Sequence, residues 1–402
     1  MMTLDKKLQK FFEDRGSSPK TQSHYKASVK LYEHLNKKNL TQLIKEADYE
    51  EERRIRWKRR KVRERLIDFR NYLYLNKAEA TAKLYLQDVR TVYKHFEIEL
   101  QTLPNFNSHQ IDKTYEMDYE DLVTADELID AYYEANNVTK CIILFALSSG
   151  YSKIDLLNLS VGDFIKACSN YIQNDELCKQ LVELKSQSEV IPTFRGTRQK
   201  TTKKFITFCS PECSEHIVQY LLGRDAQIRK NYEDADDDEK ENLPEQLCCE
   251  DKLFDVSESH LNYTFRRINN KLDLGKVGKY TKFRCHVLRK YQASTLLNFE
   301  EIQWTIYEID SLQGRTKDKT HRAYFHDDSE KLWKKYYDSV DELMLFKSIH
   351  GIDEEAYEKL NAENRFYKKE IVRNEKKLEE QQETINKIIS NQRELEALLG
   401  LN

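Results

Sequence analysis

Apolar residues recur at three- and four-residue spacing along most of the chain, the period of helices that bury one face. A first helix is expected over Leu4–Arg15, stopping at Gly16-Ser17-Ser18-Pro19. Ser18 followed by Pro19 then supplies a cap and a first-turn proline for a second helix. Two later segments echo each other: Thr21, Tyr25, Val29 and Tyr32 in one, Thr81, Tyr85, Val89 and Tyr93 in the other. Both read as core helices of one N-terminal helical domain over residues 1–104. The period breaks at Leu103-Pro104, and residues 105–121 read as a linker.

Thr124 and Glu127 form a capping box that opens a second domain over residues 122–345. Its best strand candidates are Val190–Phe194 and Lys204–Phe208, joined by a basic turn over Arg195–Lys203. Ser210-Pro211-Glu212 restarts a helix. Ten acidic residues between 233 and 251 read as a mobile surface loop. Residues 251–283 read as helix plus turn, and Cys285–Leu297 as a buried helix. Residues 353–399 carry heptad positions, among them Tyr357, Leu360, Ile371, Leu378, Ile385, Ile388 and Leu395. They fit a coiled coil or a single long helix packed on its own domain.

Composition agrees with a mainly α chain holding a small β-sheet. Only 10 glycines and 5 prolines interrupt 402 residues, and 34% of residues are charged. No run approaches 18 apolar residues, so no transmembrane helix is expected, and the N-terminus does not read as a secretory signal. The eight cysteines form no CxxC framework and no His cluster completes a zinc site; they read as reduced intracellular thiols.

Charge changes the picture more. Residues 1–104 carry 24 Lys and Arg against 15 Asp and Glu, whereas the remainder carries 42 against 54. A net +9 domain joined to a net −12 remainder suggests that the first part meets a polyanion. The densest basic stretch is Arg53, Arg54, Arg56, Lys58, Arg59, Arg60 and Lys61, with Trp57 inside it. It reads as a basic helix facing phosphates, or as an ordinary solvated face.

The chemistry concentrates further on. His286 and Arg289 stand three apart, on one face of a helix. Gly314-Arg315 follows, and Tyr324 comes nine residues after Arg315. This order resembles the C-terminal motif of the tyrosine recombinase (phage integrase) family, particularly its archaeal members. Lys200-Thr201, eight residues before Phe208, resembles the family's β-hairpin lysine and following strand. Ser148-Ser149-Gly150 through Asp155–Leu159, with Asp163-Phe164, resembles its first catalytic box, and the helical N-terminus its core-binding domain.

The resemblance covers residues 1–345 and implies a division of labour. Tyr324 would attack a DNA phosphodiester and become a 3′-phosphotyrosine. Arg289 would clamp the phosphate, His286 would take the phenolic proton, and Lys200 would protonate the departing 5′ oxygen. No metal, cofactor or ATP is implied. The implied partners are double-stranded DNA with specific sites and three further copies of the chain in a synaptic homotetramer, in a prokaryotic, cytoplasmic, nucleoid-associated setting with no membrane.

Two positions depart from the pattern. Lys153 stands nearest to where the first box supplies an arginine, although Ser152 aligns as well, and Arg315 replaces the usual histidine. Three functions therefore stay open: a site-specific recombinase or integrase, a catalytically degenerate DNA-binding relative, and a topoisomerase-like relaxing enzyme.

Overall fold

The computed structural model describes residues 5–105, 117–199, 203–315 and 328–346. They divide into two compact units, Met1–Glu116 and Met117–Asn402. The described residues are mainly helical, with two small two-stranded antiparallel sheets.

The first unit holds α1 (Lys6–Asp14), α2 (Pro19–Asn36), α3 (Leu40–Glu52), α4 (Lys61–Asn76) and α5 (Glu79–His95). Ser18 caps α2 by accepting from the Thr21 amide, as the Ser-Pro pair predicts. The echoing segments become α2 and α5, and they pack together. Val29, Tyr32, Val89 and Tyr93 are buried, and the hydroxyls of Tyr32 and Tyr93 meet at 3.2 Å. A phenol needs that partner once it leaves water.

The basic stretch is not one helix. Arg53 ends α3, a single 3-10 turn covers Trp57–Arg59, and α4 begins at Lys61. Acidic side chains explain the break. Both carboxylate oxygens of buried Glu50 accept from the Lys61 amide, at 2.9 and 3.0 Å, which starts α4 there. Arg60 bonds the Ile55 carbonyl at 2.9 Å and pairs with Glu51 at 3.2 Å. Lys61 pairs with Glu46 at 3.4 Å. Arg53, Arg54, Arg56, Lys58 and Arg59 are exposed, and so is Lys61 beside its acidic partner.

In the second unit, α6 (Ala125–Tyr133) opens on the Thr124–Glu127 capping box. The centre is α7 (Asn137–Ser149), buried at almost every position after its first turn. Short α8 (Lys153–Leu156) and α9 (Val161–Ala167) follow, then α10 (Leu177–Lys185). The hairpin β1 (Thr193–Arg198) and β2 (Lys203–Phe208) leads into α11 (Pro211–Glu233). After α12 (Asp237–Lys240) and α13 (Glu258–Lys271) comes a second, two-residue hairpin, β3 (Lys276–Val277) with β4 (Tyr280–Thr281). Three helices complete the described unit: α14 (Cys285–Asn298), α15 (Ile306–Leu312) and α16 (Ser329–Ser339). Helices α11 and α14 both pack on α7.

Two boundaries differ from the sequence reading. The first strand starts at Thr193 rather than Val190, because tertiary partners claim the earlier backbone. Ser214 Oγ donates to the Val190 carbonyl at 2.7 Å, and the Ile191 amide donates to the Tyr171 hydroxyl at 3.3 Å. Among the described residues of the expected basic turn, Arg195–Arg198 and Lys203 are strand, with Arg195 opposite Ile206 and Arg198 opposite Lys203.

The acidic stretch is also more ordered than a mobile loop. Its start ends α11 and forms α12, and its end is tied down. The Leu247 amide donates to Asp225 Oδ1 at 2.9 Å. The carbonyls of Cys249 and Asp251 accept from Gly162 and Val161, at 2.8 and 2.9 Å. The tail at 353–399 and most of the expected linker lie outside the described residues.

Candidate active site

On helix α14 His286 and Arg289 stand one turn apart and differ in depth. His286 faces out, while Arg289, only 4% exposed, points into the unit. Two helix ends receive that guanidinium. Arg289 Nη1 donates to the Gly150 carbonyl after α7, and Nη2 to the Gln313 carbonyl after α15, both at 2.5 Å. The C-terminal end of a helix presents unpaired carbonyls and partial negative charge, so it suits a buried cation.

Both ends depend on a glycine with positive φ. Gly150 takes φ +64°, and a β-carbon there would meet Gln292 Oε1 at 2.3 Å. Gly314 takes φ +60°. The Gly314 amide donates to the Ser311 carbonyl at 3.3 Å and the Arg315 amide to the Asp310 carbonyl at 2.9 Å. That pair of bonds closes α15 as a Schellman turn and turns the chain at Gln313. Gln313 Nε2 reaches back to the Arg289 carbonyl at 2.9 Å and to Gln292 Oε1 at 2.6 Å. Gln292 Nε2 in turn donates to the Ser148 carbonyl at 3.3 Å. Two buried glutamines thus tie α7, α14 and α15 around one arginine.

The electrostatics are strongly positive. Burial first, then the charges of Arg198 and Arg315, push Arg289 down to about 9, so it stays protonated at neutral pH. Arg315 lies 3.9 Å from Asp310, at the limit of an ion pair, and burial lowers it too. His286 is lowered by desolvation and then by Lys290, Arg284, Arg289 and Arg315. A histidine kept neutral in this way can accept a proton.

Lys153 does not carry a free charge here. Its Nζ pairs with Glu258 at 2.8 Å and donates to Asn262 Oδ1 at 2.9 Å. Ser152 caps α8 instead, accepting from the Asp155 amide and bonding Asp155 Oδ2 at 2.5 Å. Asp155 Oδ1 then accepts from the Gln199 amide at 3.1 Å, which fixes the end of β1. The sequence reading missed Arg198, Gln292 and Gln313. Arg198 was legible only as one cation of a basic hairpin; the glutamines gave no signal.

Lys200 and Tyr324 lie outside the described residues. The segment carrying Tyr324 joins Arg315 to Asp328, after α15 and before α16. Leu312 and Leu332, from those two helices, share one apolar cluster with Phe208. The two tyrosines of α16 are both occupied. Tyr336 is fully buried, donates to the Ser148 carbonyl at 3.1 Å, and is raised well above the ordinary phenol value by burial. Tyr337 stacks on Trp333 with ring centroids 5.3 Å apart.

A separate cavity of about 730 Å³ is lined by residues including Tyr151, Asp155, Lys166, Arg195 and Trp333, but by none of Arg198, Arg289 or Arg315. Among the described residues no three His, Cys, Asp or Glu side chains gather as a metal would need, and no helix is long and apolar enough to cross a membrane.

No protein-family model matches the chain, and no curated protein matches it by sequence. Comparison of structures does find similar proteins. Among the solved structures it is similar to are recombinases and integrases. One is the site-specific recombinase XerH bound to its difH substrate in a pre-cleavage complex, at 16% identity and a TM-score of 0.38, covering 68% of this chain and 69% of that one. A lambda integrase dimer bound to a COC' core site matches at 17% identity and a TM-score of 0.42, covering 82% and 97%. The Tn1549 transposon integrase in complex with transposon right end DNA matches at 12% identity and 0.41, covering 84% and 100%.

Proposed function

We propose that this protein is a site-specific DNA recombinase that cuts and rejoins strands through a 3′-phosphotyrosine at Tyr324. The observation that carries the reading is the seat of Arg289. It is a buried guanidinium held by the ends of two helices, beside Arg315 and one turn from a neutral His286. An arginine fixed before substrate arrives can stabilise charge that develops on a phosphate without reorganising.

In this mechanism the Tyr324 oxygen attacks phosphorus and its proton passes to His286. The bond from phosphorus to the 5′ oxygen breaks, and Lys200 supplies that oxygen with a proton. Arg289 and Arg315 donate to the non-bridging oxygens throughout. The phosphotyrosine conserves the energy of the broken bond, so attack by a 5′ hydroxyl rejoins the strand without ATP. Double-stranded DNA is the substrate, and a synaptic tetramer brings two duplexes together. The exposed cations at Arg53, Arg54, Arg56, Lys58 and Arg59 would add sequence-independent affinity.

A nicked suicide substrate traps the intermediate. The wild-type protein should form a covalent adduct and Tyr324→Phe none. One observation favours a second reading, a DNA-binding relative without catalysis: Lys153 is spent on Glu258 and Asn262. That reading predicts site-specific binding with no adduct from the wild type. Relaxation of supercoiled DNA without site preference would instead mark a topoisomerase-like enzyme.

A further inference from the structure

We propose that Arg198, at the end of β1, is the third phosphate-binding guanidinium of this site, in the place where Lys153 was expected. The inference deepens the recombinase reading and rests on it for the identity of the phosphate.

Three observations converge on Arg198. Its Nη1 donates to the Gly314 carbonyl at 3.2 Å. That carbonyl is the next one along from the Gln313 carbonyl that holds Arg289, so the two guanidiniums are anchored on adjacent peptide units of one turn. Its positive charge acts on both Arg289 and Arg315. Its Nε is buried and has no hydrogen-bond partner among the described residues.

Such a cluster is costly by itself. Among the described residues the one carboxylate within ion-pair distance of these three arginines is Asp310, at 3.9 Å from Arg315. Asp155 contributes from further away. Like charges gathered out of water with so little compensation favour an added anion. Three guanidiniums suit the tetrahedral oxygens of a phosphate, and a planar fork supplies the geometry that a lysine cannot. Lys153 meanwhile is neutralised by Glu258.

The test is inorganic phosphate titrated into the full chain at low ionic strength, with affinity read by calorimetry for wild type, Arg198→Ala, Arg198→Lys, Arg289→Ala and Lys153→Ala. Arg198→Ala should weaken phosphate binding about tenfold or more, the effect of losing one charged hydrogen-bond donor. Arg198→Lys keeps the charge and should fall between wild type and Arg198→Ala. Lys153→Ala should change affinity less than about twofold. Wild-type affinity in both Arg198 variants, or a tenfold loss in Lys153→Ala alone, overturns the proposal.

Adduct formation on the nicked substrate separates this inference from the reading beneath it. Arg198-dependent phosphate binding without any wild-type adduct sinks the recombinase reading and keeps the anion site. An adduct formed by Arg198→Ala at the wild-type rate sinks the inference and keeps the recombinase.

Discussion

Arg289 and Arg59 are both arginines that a phosphate could meet, and their surroundings differ in kind. Arg289 is 4% exposed, fixed at two nitrogens by backbone carbonyls, and ringed by other cations. Arg59 is exposed on a single 3-10 turn. Around it the run divides: Arg60 and Lys61 pair with acidic neighbours, and Arg56 and Lys58 stay exposed. The first arrangement fixes geometry before substrate arrives. The second offers charge with little geometry. A buried arginine can therefore set rate, and an exposed one affinity and salt dependence.

The sharpest way to break this comparison is at the buried end. Arg289→Ala should slow adduct formation by about 10²–10³-fold, the usual cost of one preorganised transition-state donor. Binding to the same DNA should change far less. A rate within about threefold of wild type would remove Arg289 from the chemistry.

The seat of Arg289 can be attacked without touching the arginine. Gly150→Ala puts a β-carbon into Gln292 and forces positive φ on an L-residue. The expected loss is about 1–3 kcal/mol of stability, by chemical denaturation, with slowed cleavage beside it. Unchanged stability would mean that the end of α7 tolerates a side chain and that the seat is softer than its geometry suggests.

The exposed end predicts a different signature. Replacing Arg56, Lys58 and Arg59 together with alanine should weaken DNA binding alike for all sequences. The slope of log affinity against log salt should fall by roughly 0.9 for each phosphate that the protein no longer neutralises. A sequence-selective loss at unchanged slope would mean that these residues read bases.

His286 gives the most specific signature, a change in the shape of the pH profile. Its lowered pKa keeps it neutral, so the acid limb of cleavage should lie below the ordinary histidine value of about 6.5. The stability sign agrees: the folded state holds this proton more weakly than the unfolded chain. The contribution is present above the unfolded value and lost as pH falls through the folded one. His286→Ala should remove the limb from the pH profile of cleavage. A limb that survives the substitution belongs to another group.

Much of the fold was legible because its signals are local. Ser18-Pro19, Thr124 with Glu127, and Ser210-Pro211 mark helix starts, and all three cap as expected. The paired tyrosines of α2 and α5 were visible as an echo, and their hydroxyls meet. What failed was set by distant partners. Val190 and Ile191 read as strand, yet Ser214 and Tyr171 take their backbone groups. The basic run read as one helix, yet Glu50 starts α4 at Lys61.

The site shows the same division. The spacing of His286 and Arg289 already placed them one turn apart, and the glycine before Arg315 already marked a turn, which closes α15. Which cation accompanies Arg289 was not legible, because that depends on Glu258 neutralising Lys153 and on a hairpin bringing Arg198 to Gly314. Residues 286 and 289 sit one turn apart on any helix. Residues 198 and 314 meet only in the folded chain.

The proposed mechanism stands or falls on a covalent bond between Tyr324 and DNA. The direct measurement is incubation with a nicked suicide substrate, digestion of the trapped complex, and mass spectrometry of the DNA-linked peptide. One adduct is expected, at Tyr324 and on a 3′ phosphate, absent from Tyr324→Phe. An adduct at another residue, or one that persists in Tyr324→Phe, would contradict it.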